Sequence, residues 1–385
     1  MDLFPSLTPL TPPHSEEARS GWLRLLRSRR VGVATFFRMM HEHGSAEAAL
    51  DALPGVAAAA GVSDYKVCPM GVVQAELKAG RLAGASLIAF GSPEYPKALY
   101  DLTDPPPLLW AIGDLSLLER PGIAMVGARN ASSLGTRMAR RMADELGQAG
   151  NVIVSGLARG IDTAAHLAAL PHGTVAVMAG GVDVIYPAEN AVLAQEIGER
   201  GLRLSEQPMG LQPQARHFPR RNRIVSGTVR GVVVVEAAAR SGSLITARDA
   251  LDQGREVMAV PGHPFDARAS GCNMLIRDGA TLVRGADDVL AALGSEPVPP
   301  DVRDATPAKP RLATTTPKPK KPASTLREAN ALHQLILDRL GPSPLAEDQL
   351  IRDLALSPGE VAPQLVSLEL DGRIARQPGG LLTKL

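Results

Sequence analysis

The sequence predicts a doubly wound α/β domain in the middle of the chain, with helical segments on either side. Short apolar runs recur between about residues 66 and 294, and helical stretches lie between most of them. The runs are apolar throughout rather than alternating, which is typical of a mostly parallel sheet covered by helices on both faces. At 385 residues the chain is long enough for two or three domains.

Residues 1–65 predict a small all-α domain of the SAM or helix-hairpin kind. Apolar residues recur at helical spacing over 16–61, and glycines divide the pattern into short helices. Segments 31–33 and 53–56 have the glycine pattern of hairpin turns, whose backbone N–H groups can meet a phosphate. A module for packing or partner contact fits these residues better than a phosphate site.

Residues 66–294 predict the α/β core. The predicted strands are Ser86–Ala89, Gly122–Val126, 152–154, 175–178, 202–204, 232–235, 257–260 and 281–283. Helical patterns at 138–148, 191–199 and 245–251 alternate with them. Strand–helix alternation of this kind favours right-handed crossovers and a parallel sheet.

The last 91 residues predict a linker and a third domain. Residues 295–325 are rich in Pro, Lys, Thr and Ala, a composition that favours an extended tether. Residues 326–385 contain three amphipathic helical patterns and a glycine-containing hairpin, which is the outline of a winged-helix domain. Its expected recognition helix, 359–370, has no Arg or Lys, so we expect protein contact or a structural role rather than base reading.

The overall composition argues for a local anion-binding site in a cytoplasmic protein. Lysine and arginine number 41 and acidic residues 40, so the chain has no uniformly basic coat. The two cysteines, Cys68 and Cys272, have neither disulfide-framework nor zinc-site spacing, and a reduced compartment suits them. The sequence shows no basic leader and no run of eighteen apolar residues, so we expect no membrane insertion.

Positive charge and glycine concentrate in a few segments of the core. Residues 216–230 contain five arginines, no acidic residue and Phe218, in a chain with only 3% aromatic residues. Loops 127–135 and 155–162 each combine glycine, a small polar side chain and an arginine ahead of a helix, and residues 240–246 repeat the pattern. Glycine permits close backbone approach and helix N-termini favour anions. Several such loops at one edge predict a polyanion site.

Catalytic motifs are missing from the sequence, so we predict no catalytic, metal-binding or cofactor-binding residue. No GxGxxG follows the strands, since Arg129 stands where a second glycine is needed, and no phosphate-binding P-loop is present. The histidines lack paired metal-ligand spacing, and His166 fits a helix or an interface better than a general base. Asp162 and Asp183 follow glycines, where capping is the commoner role.

The motifs resemble those of the DNA-processing protein A family (DprA, also called Smf). The resemblance rests on Gly127-Ala128-Arg129, Ser155–Asp162 as a loop, 180–190, Phe218-Pro219-Arg220-Arg221-Asn222-Arg223, Ser241–Ala247 and Val260-Pro261-Gly262, in order along the chain. It implies an extended Rossmann-like core that forms a homodimer and needs no cofactor. It also implies a cytoplasmic, non-enzymatic protein that binds single-stranded DNA, protects incoming DNA in natural transformation and loads RecA recombinase.

The resemblance also implies a set of DNA-contacting positions, all in the motifs just named. They are Gly127, Arg129, Ser155, Gly156, Phe218, Arg220, Arg221, Asn222, Arg223, Ser241, Gly242, Ser243 and Thr246. Arginines and helix N-termini would hold phosphates, and rings and guanidinium planes would stack on bases. The chain departs from the family in having Leu134 where an aromatic residue is frequent, and in a winged helix poor in basic residues.

Two alternatives remain open. The first is a Rossmann-like nucleotide-binding or nucleotide-hydrolysing enzyme, such as a phosphoribohydrolase, although the Pro-Gly-Gly-x-Gly-Thr motif of that class is missing from 240–243. The second is a nicotinamide-sensing repressor, because that class joins a Rossmann-like domain to a winged helix.

Overall fold

The computed structural model describes residues 10–294, 326–341, 344–377 and 381–385. The predicted linker, 295–325, lies outside the described residues. The described part confirms the predicted fold class: a helical N-terminal bundle, a central mostly parallel α/β sheet and a C-terminal winged helix. None of the helices within those ranges is long and apolar enough to cross a bilayer.

The N-terminal bundle contains four helices. They are α1 (Glu16–Arg27), α2 (Val33–His43), α3 (Ala46–Ala59) and α4 (Met70–Leu82). Ser15 and Ser45 cap α1 and α3 by accepting hydrogen bonds from backbone N–H groups. Trp22 and Phe36 pack edge to face in the buried centre, with ring centroids 5.1 Å apart. The aromatic residues of this segment therefore form a core.

The hairpin turn predicted at 53–56 is wrong, because Pro54 and Gly55 lie inside α3. Leu50, Leu53 and Ala57 occupy the buried face at helical spacing. Their packing maintains the helix through two residues that disfavour one in isolation. These backbone N–H groups are consequently part of a helix interior and do not form a phosphate-binding turn.

The central sheet has nine strands in the described part of the chain. They are β1 (Ser86–Ala89), β2 (Leu108–Gly113), β3 (Gly122–Val126), β4 (Val152–Ser155), β5 (Thr174–Val177), β6 (Leu202–Ser205), β7 (Gly231–Val234), β8 (Glu256–Ala259) and β9 (Thr281–Leu282). The order across the sheet is β1-β2-β6-β5-β4-β3-β7-β8-β9. Every neighbouring pair from β6 to β9 is parallel, while β2 is antiparallel to both β1 and β6.

Helices cover both faces of this sheet. They are α5 (Ser133–Gln148), α6 (Ile161–Ala169), α7 (Ala191–Arg200), α8 (His217–Gly227), α9 (Ser243–Asp252), α10 (Ser270–Arg277) and α11 (Ala286–Ala292). The α8, α9 and α10 helices pack on the face that carries Val232 and Val234. The α5, α6 and α11 helices pack on the opposite face, with Val233 and Val235. Burial on both faces explains why the strand sequences do not alternate.

The bundle is joined to the antiparallel edge of the sheet by a buried polar network. Glu76 of α4 accepts hydrogen bonds from the Arg27 guanidinium at 2.8 and 2.9 Å and from the Trp110 indole of β2 at 2.8 Å. The Trp110 ring lies directly against Gly80, where a side chain would clash. The N-terminal bundle therefore lies beside β1 and β2.

The C-terminal module has three helices and a small sheet within its described residues. They are α12 (Leu326–Arg339), β10 (Leu345–Ala346), α13 (Glu347–Leu354), α14 (Pro358–Leu370), β11 (Ile374–Gln377) and β12 (Leu381–Lys384). A reciprocal pair of contacts between Ser357 and Glu360 caps α14. Leu350, Leu365 and Leu382 are fully buried at the centre of the module, which confirms the winged-helix prediction.

Candidate nucleic-acid interface

A large cavity lies at the carboxyl edge of the sheet, between β3 and β7. The chain runs from β3 outwards to β6 and then returns to place β7 on the other side of β3. Ligands of doubly wound sheets bind at such a reversal of strand order, because the loops on its two sides diverge there. The cavity has a volume of about 1090 Å³ and is lined by the loops that follow β3, β4, β7 and β8 and by α8.

Arg129 and Phe218 meet across this cavity. The Arg129 guanidinium carbon lies 5.3 Å from the centroid of the Phe218 ring, within cation–π range. Arg129 is exposed, and within the described ranges it has no carboxylate partner. Phe218 is half-buried, and its ring centroid lies 5.9 Å from that of Tyr186. The pair offers a fixed positive charge next to a supported aromatic ring.

The N-terminus of α5, which the sequence suggested as an anion site, already lies against a carboxylate of the protein itself. Glu236, which follows β7, is buried and accepts hydrogen bonds from the Ser132 N–H at 3.0 Å and from the Ser132 hydroxyl. The Ser132 oxygen in turn accepts a hydrogen bond from the Gly135 N–H. The Glu236 carboxylate thus places a negative charge at the N-terminus of α5, and Arg129 remains the exposed cationic side chain of this loop.

Arg221 lies under the loop after β4 and forms the floor of the cavity. It is 5% exposed, and its guanidinium donates to the Val177 carbonyl at 2.9 Å and occupies the space that a side chain at Gly156 would need. Asp162 is buried nearby and accepts hydrogen bonds from the Gly156 and Ala158 N–H groups at 3.1 and 3.2 Å. Two buried side chains of opposite charge therefore lie beneath this loop, and Asp162 holds its backbone by hydrogen bonds.

Burial shifts the pKa of each titratable group in this cluster. Burial lowers the pKa of Arg221 to about 10, opposed by the charge of Asp162, so the guanidinium stays charged at neutral pH. Burial raises the pKa of Asp162, an effect that Arg221 opposes. Burial, together with the Arg221 charge, lowers the pKa of His166 to about 3, so its ring is neutral at pH 7. The Nδ1 atom of His166 lies 2.7 Å from the Thr174 hydroxyl.

Replacing His166 with glutamine is expected to reduce the loss of stability on acidification. Between its ordinary pKa of 6.5 and the folded value of about 3, the unfolded chain binds a proton at His166 that the folded chain excludes. This linkage lowers the free energy of unfolding by up to about 1.4 kcal/mol for each pH unit below 6.5. Urea unfolding of both proteins at pH 7 and pH 5 measures how much the free energy of unfolding changes between the two pH values. An equal change in the two proteins would exclude this role for His166.

Several of the predicted contact residues do line the cavity. The loop residues Ser241, Gly242 and Ser243 come directly before or at the start of α9, and the two serine hydroxyls lie 2.7 Å apart. Gly242 is exposed and has open space where a side chain would be. The full set at the cavity is Gly127, Arg129, Gly156, Phe218, Arg221, Asn222, Ser241, Gly242, Ser243 and Thr246.

Three predicted contact residues do not line it. The Ser155 side chain is fully buried, and its hydroxyl donates to the Met125 carbonyl at 2.6 Å. Arg223 is 9% exposed and pairs with Glu206 at 2.5 Å and Asp104 at 3.1 Å. Arg220 is exposed, and its guanidinium lies 3.9 Å from the carboxylate of Glu206 as well. The arginines of α8 thus separate into a cavity residue, Arg221, and a cluster around Glu206.

The prediction missed several residues that line the cavity, among them two arginines and a phenylalanine. Arg240, directly before the serine loop, is exposed and unpaired among the described residues. Phe265 and Arg268 come from the loop between β8 and α10. The sequence held a signal for Phe265, since an aromatic residue beside Pro and Asp in an aromatic-poor chain is unusual, but no signal placed this loop beside 127–130.

The winged-helix module closes one end of the cavity. Arg268 donates to the carbonyls of Asp338 and Leu340, at the end of α12, at 2.7 and 2.8 Å. In the other direction, Arg339 donates to the Ala131 carbonyl at 3.0 Å. None of the described cavity-lining residues comes from α14. The helix that would read bases in a DNA-binding winged helix therefore faces elsewhere.

Three family profiles match consecutive parts of the chain. The profile of DNA recombination-mediator protein A matches residues 86–294. The profile of the DprA-like N-terminal HHH domain matches residues 16–79, and that of the DprA winged helix domain matches residues 318–380.

Individual proteins that are similar to this chain come from the same family as these profiles. The chain is 49% identical over 199 residues to the DNA processing protein DprA of Streptococcus pneumoniae, which covers 51% of this chain and 70% of the relative. The X-ray structure of DNA processing protein A from the same species matches with a TM-score of 0.55 and 43% identity, over 58% of this chain and 77% of that chain. DNA processing protein A from Helicobacter pylori, whose single-stranded DNA binding mode has been described, matches with a TM-score of 0.51 and 32% identity, over 54% of this chain and 95% of that chain.

Proposed function

The chain belongs to the DNA-processing protein A (DprA/Smf) family, and from that premise we propose that it binds single-stranded DNA in the cavity between β3 and β7. The observation that carries the proposal is the Arg129–Phe218 pair above the buried Arg221, at the reversal of strand order. The guanidinium can bind a phosphate while the adjacent ring stacks on an unpaired base of the same strand. A base held within a duplex would not expose its face to that ring.

The remaining polar groups of the cavity suit a strand rather than a single phosphate. Arg129 and Arg240 are exposed cations on different loops, while the serine loop offers hydroxyls and the N-terminus of α9. The buried acidic residues Asp162 and Glu236 are occupied by backbone N–H groups or by Ser132. The groups left for a ligand are mainly hydrogen-bond donors, as a polyanion requires.

Fluorescence anisotropy with labelled oligo-dT tests the proposal. We expect salt-sensitive binding, several-fold weaker for a duplex of the same length, because a duplex hides the base faces that Phe218 would stack on. Duplex binding equal to or tighter than oligo-dT binding would contradict the proposed mode. Lack of binding to either would remove nucleic acid as the ligand.

We further propose that the protein acts in natural transformation or recombination, protecting the strand and loading RecA recombinase onto it. This part rests on membership of the family, as do a cytoplasmic location and a homodimer formed through the core. A second arm of the oligo-dT experiment adds RecA and single-strand-binding protein. Faster RecA filament nucleation on the coated strand in the presence of the protein is the expected result, and an unchanged rate would contradict loading.

A further inference from the structure

Phe265 is an exposed aromatic ring at the rim of the proposed DNA cavity. Its side chain is 89% exposed, even with the winged-helix module in contact with the neighbouring Arg268. The other described phenylalanines pack against aromatic neighbours: Phe36, Phe37 and Phe90 around the N-terminal bundle, and Phe218 against Tyr186. Phe265 is thus an apolar ring that the fold of the described residues leaves uncovered.

The loop that carries Phe265 is held by hydrogen bonds on both sides of the ring. Asn273 of α10 exchanges two hydrogen bonds with the backbone of Gly262, each 3.1 Å long. The Asp266 N–H donates to the His263 carbonyl at 2.9 Å, and the Asp266 carboxylate binds both the backbone and the guanidinium of Arg268. The exposed ring therefore lies on a loop whose backbone is held in place by hydrogen bonds.

Phe265 also has a second ring behind it. The His263 ring centroid lies 5.7 Å from that of Phe265, at an interplanar angle of 38°. Phe265 and Phe218 line the same cavity, from the loop after β8 and from α8 respectively. Exposed cations that attract phosphates, Arg129 and Arg240, line it as well.

We propose that Phe265, supported by His263, is a second base-stacking subsite for single-stranded nucleic acid, separate from the subsite at Phe218. An aromatic face on a cationic cavity recognises an unpaired base of any sequence, because every base has a stacking face. A strand would then be held by stacking at two places on the cavity and by arginine–phosphate contacts between them. This inference rests on the proposed function, which supplies the strand.

The test compares the wild type with Phe265→Ala on two probes, oligo-dT and an oligonucleotide of equal length in which abasic spacers replace the bases. We expect Phe265→Ala to weaken oligo-dT binding about tenfold, within the range of one base–aromatic stack, and to leave binding of the abasic strand unchanged. Leu251→Ala on α9 is the matched control, because Leu251 is also exposed and lies off the cavity. An equal loss on both probes, or no loss on oligo-dT, would overturn the subsite.

A conservative variant adds an optical readout. Phe265→Trp keeps an aromatic face and should retain oligo-dT binding, with quenching of its indole emission on stacking. The native tryptophans, Trp22 and Trp110, are buried beside the N-terminal bundle and should contribute little change. Unquenched emission at saturating oligo-dT would overturn the stacking geometry. Wild-type protein that fails to bind oligo-dT would overturn the proposed function itself, whereas loss in Phe218→Ala but not Phe265→Ala would overturn only the second subsite.

Discussion

Replacing Arg221 with methionine is expected to lower the free energy of unfolding by about 1.5–3 kcal/mol, the usual contribution of a hydrogen bond made by a charged group. Asp162 is 6% exposed, and Arg221 supplies the positive charge that opposes the effect of burial on its carboxylate. The substitution also removes the hydrogen bond to the Val177 carbonyl. Urea unfolding at pH 8, where Asp162 would be ionised in the unfolded chain, measures the loss.

The pH dependence and a double variant separate this charge effect from simple loss of packing. Burial already raises the pKa of Asp162, and without Arg221 it should rise further. The folded variant would then bind a proton that the unfolded chain lacks, so its deficit should shrink as the pH falls from 8 to 5. Asp162→Asn keeps an oxygen acceptor for the two N–H groups and should rescue Arg221→Met. A deficit that is the same at both pH values, with no rescue, would contradict the role of the Arg221 charge.

The arginines of α8 illustrate how far sequence can predict a site. Their excess of positive charge and their motif correctly indicated a segment beside the cavity. Their directions were not predictable, because each depends on a partner distant in sequence: the Val177 carbonyl for Arg221, and Glu206 with Asp104 for Arg223. Local periodicity orients apolar faces, but it does not show which distant acceptor each guanidinium will contact.

The loops after the strands show the same limit of sequence-based prediction, here for backbone N–H groups. Glycine and serine at 127–133 indicated a helix N-terminus open to an anion, and the turn and helix are present. Glu236, about a hundred residues later, takes that position because β7 lies next to β3. Only the strand order brings the two segments together, and the strand order cannot be inferred from the spacing of residues along the chain.

The sheet itself was largely predictable from the sequence. All eight predicted strands are present, with each end within one residue of the predicted bounds. The missed strand, β2, is antiparallel to both neighbours and follows three prolines. It is therefore not part of the strand–helix alternation from which the other strands were predicted. Buried parallel strands have a strong apolar signature, whereas an antiparallel addition at the edge does not continue that pattern.

Replacing Arg129 with alanine is expected to weaken oligo-dT binding by about tenfold to a hundredfold, the range for loss of a hydrogen bond to a charged group. The side chain is exposed and has no carboxylate partner in the described residues, so it needs no rearrangement to reach a phosphate. Removing one phosphate contact should also reduce the slope of log affinity against log salt by about 0.7 for a single strand. Anisotropy titrations at several salt concentrations give both quantities.

Arg38→Ala provides the matched control for this charge change. Arg38 is exposed on α2 of the N-terminal bundle, which lies beside β1 and β2 rather than at the cavity. Its loss should change the affinity less than twofold and leave the salt slope unaltered, because Arg38 does not line the cavity and exposed charges are screened by salt. Thermal melting should show both variants folded, because neither arginine is buried. Equal weakening by the two substitutions would mean that net charge, and not the position of Arg129 above Phe218, determines binding.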